Sequence, residues 1–322
     1  MQDIESIEGV CDVEWYGPAE GPIDLLIEIP HGATRATDYT ALRSRLHSTL
    51  PEDLQAFFFV NTDIGTPECA RAVGLQLAGE FASAPPLADA TGATGALLDD
   101  VRRAADERPR RTLVLLGRVP RTFVDLNRVL EGGDDDGVKL TPPFPGYIED
   151  PRDRELLTEL HAGYQEVADR AYAAVCDDQG GKALCLHSYA PRSVNITDVD
   201  AGIVQALRKA YEPETYAGWP VRPEVDLITE DPEGNLLAPA DWADSVIESY
   251  RRIGVAAGQN GTYRLSPRSA GYRHAAARPD RVLCAELRRD LLAEPFDPFV
   301  EMTIGESKAW RMALPLSSSL GR

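Results

Sequence analysis

Short, largely apolar runs recur along the chain: Ile23–Ile29, Ala56–Val60, Thr112–Gly117, Thr122–Leu126, Ala183–Ser188 and Arg281–Leu287. Most do not alternate with polar residues, which is the pattern of strands covered on both faces. Between them lie segments with apolar residues at helical spacing. Pro67–Ala82 has a proline near its start, and Pro151–Asp178 is the longest. Two more helices are expected over Asp200–Tyr211 and Pro239–Gly258. Strands alternating with helices predict an α/β three-layer sandwich around one mixed, mostly parallel sheet. Two stretches rich in Gly, Asp and Pro, near 131–150 and 221–239, read as irregular excursions. Apolar runs continue on both sides of each, so one domain over 1–322 is expected.

Bulk properties narrow the partners. The net charge of −19 repels nucleic acid phosphates and anionic membrane surfaces. No apolar stretch approaches the ~18 residues of a transmembrane helix. The first residues, MQDIESIEGVCDVEW, are acidic and lack the basic and apolar regions of a signal peptide, so a cytoplasmic location is expected. Five cysteines with no CxxC spacing argue against a disulfide framework or a cysteine-based zinc site. The expected partner is therefore a small molecule. The sequence sets no oligomeric state.

Open α/β sheets place their chemistry at the carboxyl ends of strands. The apolar runs lead into His31, into Thr62 and Asp63, into Asn127 and Arg128, into His187 and Ser188, and into Glu286 and Arg288. A catalytic zinc takes three imidazole or carboxylate ligands and keeps one position open. His31, Asp63 and His187 are the right residue types. Glu286 is a candidate to shuttle a proton, and Arg128, helped by Asn127, a candidate fork for a substrate carboxylate. Blander roles stand beside these. Asp63 also suits a turn before the helix at Pro67, and Asp125, inside an apolar run, needs a buried partner such as a nearby arginine. His47 and His161 are expected to be structural. A serine nucleophile has no GxSxG elbow here. Cys185 is placed on the opposite strand face from His187, which would leave it no base.

The stretches IPHGATR, NTDIG, RTFVDLNR, LHSYAPRS and LCAELRRDLL resemble, in order, the motifs of N-formylglutamate amidohydrolases. RTFVDLNR is the most specific of them. That family is similar in fold to zinc carboxypeptidases and acylamino-acid deacylases. The resemblance implies a zinc-dependent hydrolase with one Zn2+, cleaving a small amide on an acidic amino acid. It implies His31, Asp63 and His187 as metal ligands and Glu286 as the proton-shuttling carboxylate. It also implies Asn127 and Arg128 gripping the substrate carboxylate, Arg121 supporting the oxyanion, and Asp125 orienting its neighbours from behind. Ser188 and Arg192 would line the pocket. The sequence departs from the pattern at Gly32-Ala33, at Asn61, and over 260–280, where a glycine-rich loop is replaced. Tyr263, Tyr272 and His274 thereby become new pocket candidates. A carboxypeptidase-like peptidase and a non-catalytic binding homologue are the alternatives.

Overall fold

The computed structural model describes residues 4–87, 90–130, 141–196 and 198–320. The stretch 131–140 of the expected excursion lies outside them. Seven strands form one sheet: β1 (Cys11–Tyr16), β2 (Ile23–Ile29), β3 (Arg111–Gly117), β4 (Lys182–Tyr189), β5 (Val225–Ile228), β6 (Ala257–Gln259) and β7 (Val282–Arg288). Their spatial order is β1-β3-β2-β4-β7-β5-β6. β3, β2, β4 and β7 are mutually parallel, and β1 and β5 join antiparallel at either side. The expected three-layer α/β architecture with a mixed, mostly parallel sheet is observed.

The central strands are mostly apolar because both faces are covered, and buried Glu28 on β2 accepts from the hydroxyls of Tyr164 and Tyr172. Leu26, Leu113, Leu115, Ala183, Cys185 and Cys284 face one layer. That layer contains α1 (Ala36–Arg43), α2 (Leu54–Asn61), α5 (Pro151–Tyr172), α6 (Ile203–Ala210) and α9 (Ala270–Ala277). The alternate residues Leu25, Ile27, Val114, Leu116, Leu184 and Leu283 face the other. There lie α3 (Thr66–Ala78), α4 (Ala93–Glu107), α8 (Ala240–Arg252) and α10 (Glu306–Leu320). A short helix, α7 (Pro213–Gly218), follows α6, and α5 runs on into a π-helical turn, Ala173–Asp178.

Two expected strands are not strands. Ala56–Val60 lies within α2, with Phe57, Phe58 and Phe59 all buried. An apolar run this short fits a buried helix as well as a buried strand. Thr122–Leu126 is a chain of turns. Its backbone groups are satisfied from elsewhere: Asp125 N–H donates to the Pro143 carbonyl, Tyr147 Oη to that of Thr122, and the Gln165 amide to that of Leu126. These bonds let fully buried Phe123, Val124 and Leu126 pack without a strand partner. The excursion expected near 221–239 holds β5 at its centre.

Glycines allow the close approaches that the site needs. A Cβ on Gly117, at the end of β3, would lie 2.3 Å from the Pro30 carbonyl oxygen. Only glycine lets the ends of β2 and β3 meet there. Gly65 (φ 82°) caps α3 in the left-handed region, just after Asp63.

Candidate metal centre

Parallel β2, β4 and β7 end at the same edge of the sheet, and their last residues meet there. His31 follows β2. His187 on β4 and Glu286 on β7 are register partners, so their side chains emerge side by side. Asp63 comes from the α2–α3 connection rather than from a strand. It is held by local bonds: Thr66 Oγ1 donates to its carbonyl (2.7 Å), and Thr62 Oγ1 donates to the Ala33 carbonyl (2.6 Å). Asp125 and Arg128 sit in the turns that follow β3.

The three expected ligands converge. Asp63 Oδ2 lies 3.1 Å from His31 Nδ1 and 2.8 Å from His187 Nδ1. All three residues are buried, and one donor atom from each falls within 4.8 Å of the others. Two imidazoles and a carboxylate form a group that can hold a metal ion. Asp125 completes it from behind, with Oδ1 2.7 Å from His31 Nε2. A carboxylate on the far nitrogen fixes the tautomer that presents Nδ1. Asp125 is itself fixed by the Asn127 N–H (2.9 Å), by Arg121 Nε (3.0 Å), and by the nearby Arg128 Nε (3.8 Å).

The electrostatics follow from burial and pairing. Burial opposes the charge of Asp63, but His31 and His187 outweigh it and hold the carboxyl well below the usual range. Burial likewise disfavours charge on His187, yet its bond to Asp63 raises it to about 9. Asp125 is also held low: Arg121, Arg128 and His31 outweigh its burial. Glu286 differs. Burial pushes its carboxyl upward, and its buried Oε2 has no hydrogen-bond partner among the described residues.

A cavity of about 680 Å³ opens over this edge. His31, Asp63, His187, Glu286, Arg121, Asp125, Asn127, Arg128, Ser188, Arg192 and Tyr263 all line it. Several are already engaged. Ser188 Oγ donates to the Ile64 carbonyl (3.0 Å), and Arg192 to that of Trp219 (2.6 Å). Arg128 donates to the carbonyls of Thr141 and Asn127 (3.2 and 3.1 Å). Tyr263 Oη accepts from Arg222 (2.9 Å).

Two pocket candidates are elsewhere. Tyr272 is not among the lining residues; it packs against the main apolar core. His274 is buried and stacked on Tyr172 with ring centroids 3.7 Å apart. Of the two, both on α9, only His274 lies on the buried side, and Tyr272 is half-buried; neither lines the cavity. His161 is structural as expected: its Nε2 lies 2.8 Å from the Arg128 carbonyl.

Cys185 and His187 share a strand face, because residues two apart in a strand point the same way. Cys185 Sγ is 3.3 Å from His187 Nε2. The thiol is fully buried, and the bond to Cys284 and burial both raise it well above its ordinary value, so it remains a poor nucleophile. Arg288, noted at the end of its apolar run, pairs with Asp290 and Glu224 instead of entering the cavity.

Arg289 is the residue that the sequence reading missed. The 3-10 turn Arg289–Leu291 swings it back over the site. It donates to the carbonyls of Val60 and Ser188, and its Nη2 lies 3.6 Å from Asp63 Oδ1. Its only signal in sequence was a second arginine in ELRRDLL.

No family model and no curated protein matches the chain. Solved structures do. A gene product from Agrobacterium tumefaciens, Atu2144, matches with a TM-score of 0.50 at 16% identity, over 97% of this chain and 93% of that one. That likeness establishes a shared fold. An N-formylglutamate amidohydrolase from Ralstonia eutropha JMP134 matches with a TM-score of 0.42 at 17% identity, over 95% of each chain. A metallo-carboxypeptidase from Burkholderia cenocepacia matches with 0.43 at 12% identity, over 95% of this chain and 59% of that one. Among the described residues no helix is long and apolar enough to cross a membrane.

Proposed function

We propose that the chain is a metal-dependent hydrolase that cleaves the amide bond of a small N-acyl amino acid, with N-formylglutamate the first substrate to try. The observation that supports it most is the buried His31–Asp63–His187 group beside an unpartnered Glu286 oxygen. The donor set fits zinc: two imidazoles and one carboxylate, with Asp125 orienting His31 from behind. Bound there, the ion would polarise the scissile carbonyl and acidify a water.

The chain's own residues supply the rest. Glu286 Oε2 accepts a proton from the attacking water and returns it to the departing amine nitrogen. Its burial favours the protonated form that the second step needs. The Arg121 guanidinium, anchored on Asp125, faces the charge that develops on the carbonyl oxygen. Asn127 and Arg128, which line the same cavity as Glu286, hold the substrate carboxylate.

The test is metal content and turnover, measured side by side on the native chain and on His31→Ala. Near-stoichiometric zinc, lost in the variant, with chelator-sensitive hydrolysis of N-acyl amino acids is expected. Turnover that survives metal removal would sink the proposal. Cleavage of unblocked peptides without deacylation would favour a carboxypeptidase-like activity instead.

A further inference from the structure

The cavity has more wall than a formyl group can use. Next to the metal-site residues, a second surface is apolar. Phe57 and Val60 stand one turn apart on α2, and Ile203 and Leu207 one turn apart on α6, which packs against α2. Tyr211 and Val199 extend the surface. Val60, Val199 and Tyr211 remain only half-buried, so the fold leaves apolar area open that a ligand can cover.

This wall adjoins the reacting centre. The Val60 carbonyl accepts from Arg289, and Arg289 stands 3.6 Å from Asp63 Oδ1. α2 leads directly into Asp63. Glu286, on β7, must reach the leaving amine, so the amine half of the substrate lies on the β7 side. The acyl half then extends from the metal ligands towards α2 and α6. A volume near 680 Å³ matches cavities that enclose drug-sized ligands, far larger than a formyl amino acid.

Resting on the function proposed above, we infer that the preferred substrates are N-acyl amino acids whose acyl group is a medium-length aliphatic chain, seated on the half-buried Val60, Val199 and Tyr211 of this wall. Each methylene that reaches this wall raises kcat/KM about fourfold, the fold-change equal to ~0.8 kcal/mol of burial.

The experiment compares N-formyl-, N-acetyl- and N-octanoyl-glutamate on the full metal-loaded chain, with Val60→Phe alongside to narrow the wall. The inference expects kcat/KM to rise along the series. It also expects the octanoyl-to-formyl ratio to fall at least tenfold in Val60→Phe, while bound metal per chain stays constant and reports an intact site. A flat or falling series overturns the inference and leaves the amidohydrolase reading standing. If metal binds but none of the three is hydrolysed, the functional reading fails. Equilibrium binding of the octanoyl and acetyl compounds to metal-loaded Glu286→Gln then still reads the wall: tighter octanoyl binding supports it, and equal affinities overturn it.

Discussion

His31 Nε2 lies 2.7 Å from Asp125 Oδ1, and its other nitrogen faces Asp63 at 3.1 Å. One ring thus joins the turns after β3 to the loop after α2, with its tautomer set by the Asp125 carboxylate. Asp125→Asn keeps the shape but lets the amide offer a donor where the ring N–H needs an acceptor. Metal affinity is expected to fall roughly 10–100-fold. Competition titration against a chelator checks this, and unchanged affinity would show that Asp125 does not orient His31.

Glu286 sits beside His187 in register, yet its Oε2 bonds to no described residue. Glu286→Gln is nearly isosteric and replaces the titratable carboxyl with an amide that cannot shuttle a proton. Bound metal is expected to stay stoichiometric while kcat falls roughly a hundred- to ten-thousandfold. A variant that keeps its rate would remove Glu286 from the chemistry.

Arg289 ties the end of α2, the end of β4 and Asp63 together through buried bonds. Arg289→Met leaves the Val60 and Ser188 carbonyls without this donor and should cost ~2 kcal/mol of stability. Arg289→Lys, which keeps the charge but not the fork, should recover part of the loss. Urea unfolding of the three proteins decides it; a Met variant as stable as the native chain refutes the clamp.

His274 is buried against Tyr172 and flanked by Arg273 and Arg278, each 3.4 Å from a ring nitrogen. Burial first, then the two guanidinium charges, depress it to about 3. The unfolded chain therefore binds a proton that the folded chain refuses between about pH 3 and 6.5. Stability is full above pH ~6.5 and falls with acid, by roughly 3 kcal/mol at pH 4 from this residue. His274→Phe keeps the stacking and removes the titration. The difference in melting temperature between native and variant should shift in the variant's favour as pH drops from 7 to 4. A difference that stays constant with pH would assign the acid sensitivity elsewhere.

Residue types were legible in the sequence where local chemistry was enough. Strands β2, β3, β4 and β7 follow from largely apolar runs, because a strand covered on both faces has little polar side to show. His31, His187 and Glu286 stand out because they interrupt or end those runs, where the sheet edge opens. Asp63 stands out at the end of a run that reads as a strand, and Asp125 inside another, although neither run is a strand in the structure. Only the tertiary structure decided that Ala56–Val60 is a helix and that Thr122–Leu126 is a set of turns. A short buried run has no periodicity to choose between helix and strand, and distant donors and acceptors satisfied its backbone. Direction was also a tertiary matter. Arg288 and Arg289 are neighbours of one type, but a single 3-10 turn sends one to Asp290 and the other to Asp63. His274 lies on the buried side of α9 and Tyr272 packs half-buried against the core, so neither enters the cavity. Side-chain chemistry is written residue by residue, whereas which side chains share a cavity depends on chain segments far apart in sequence.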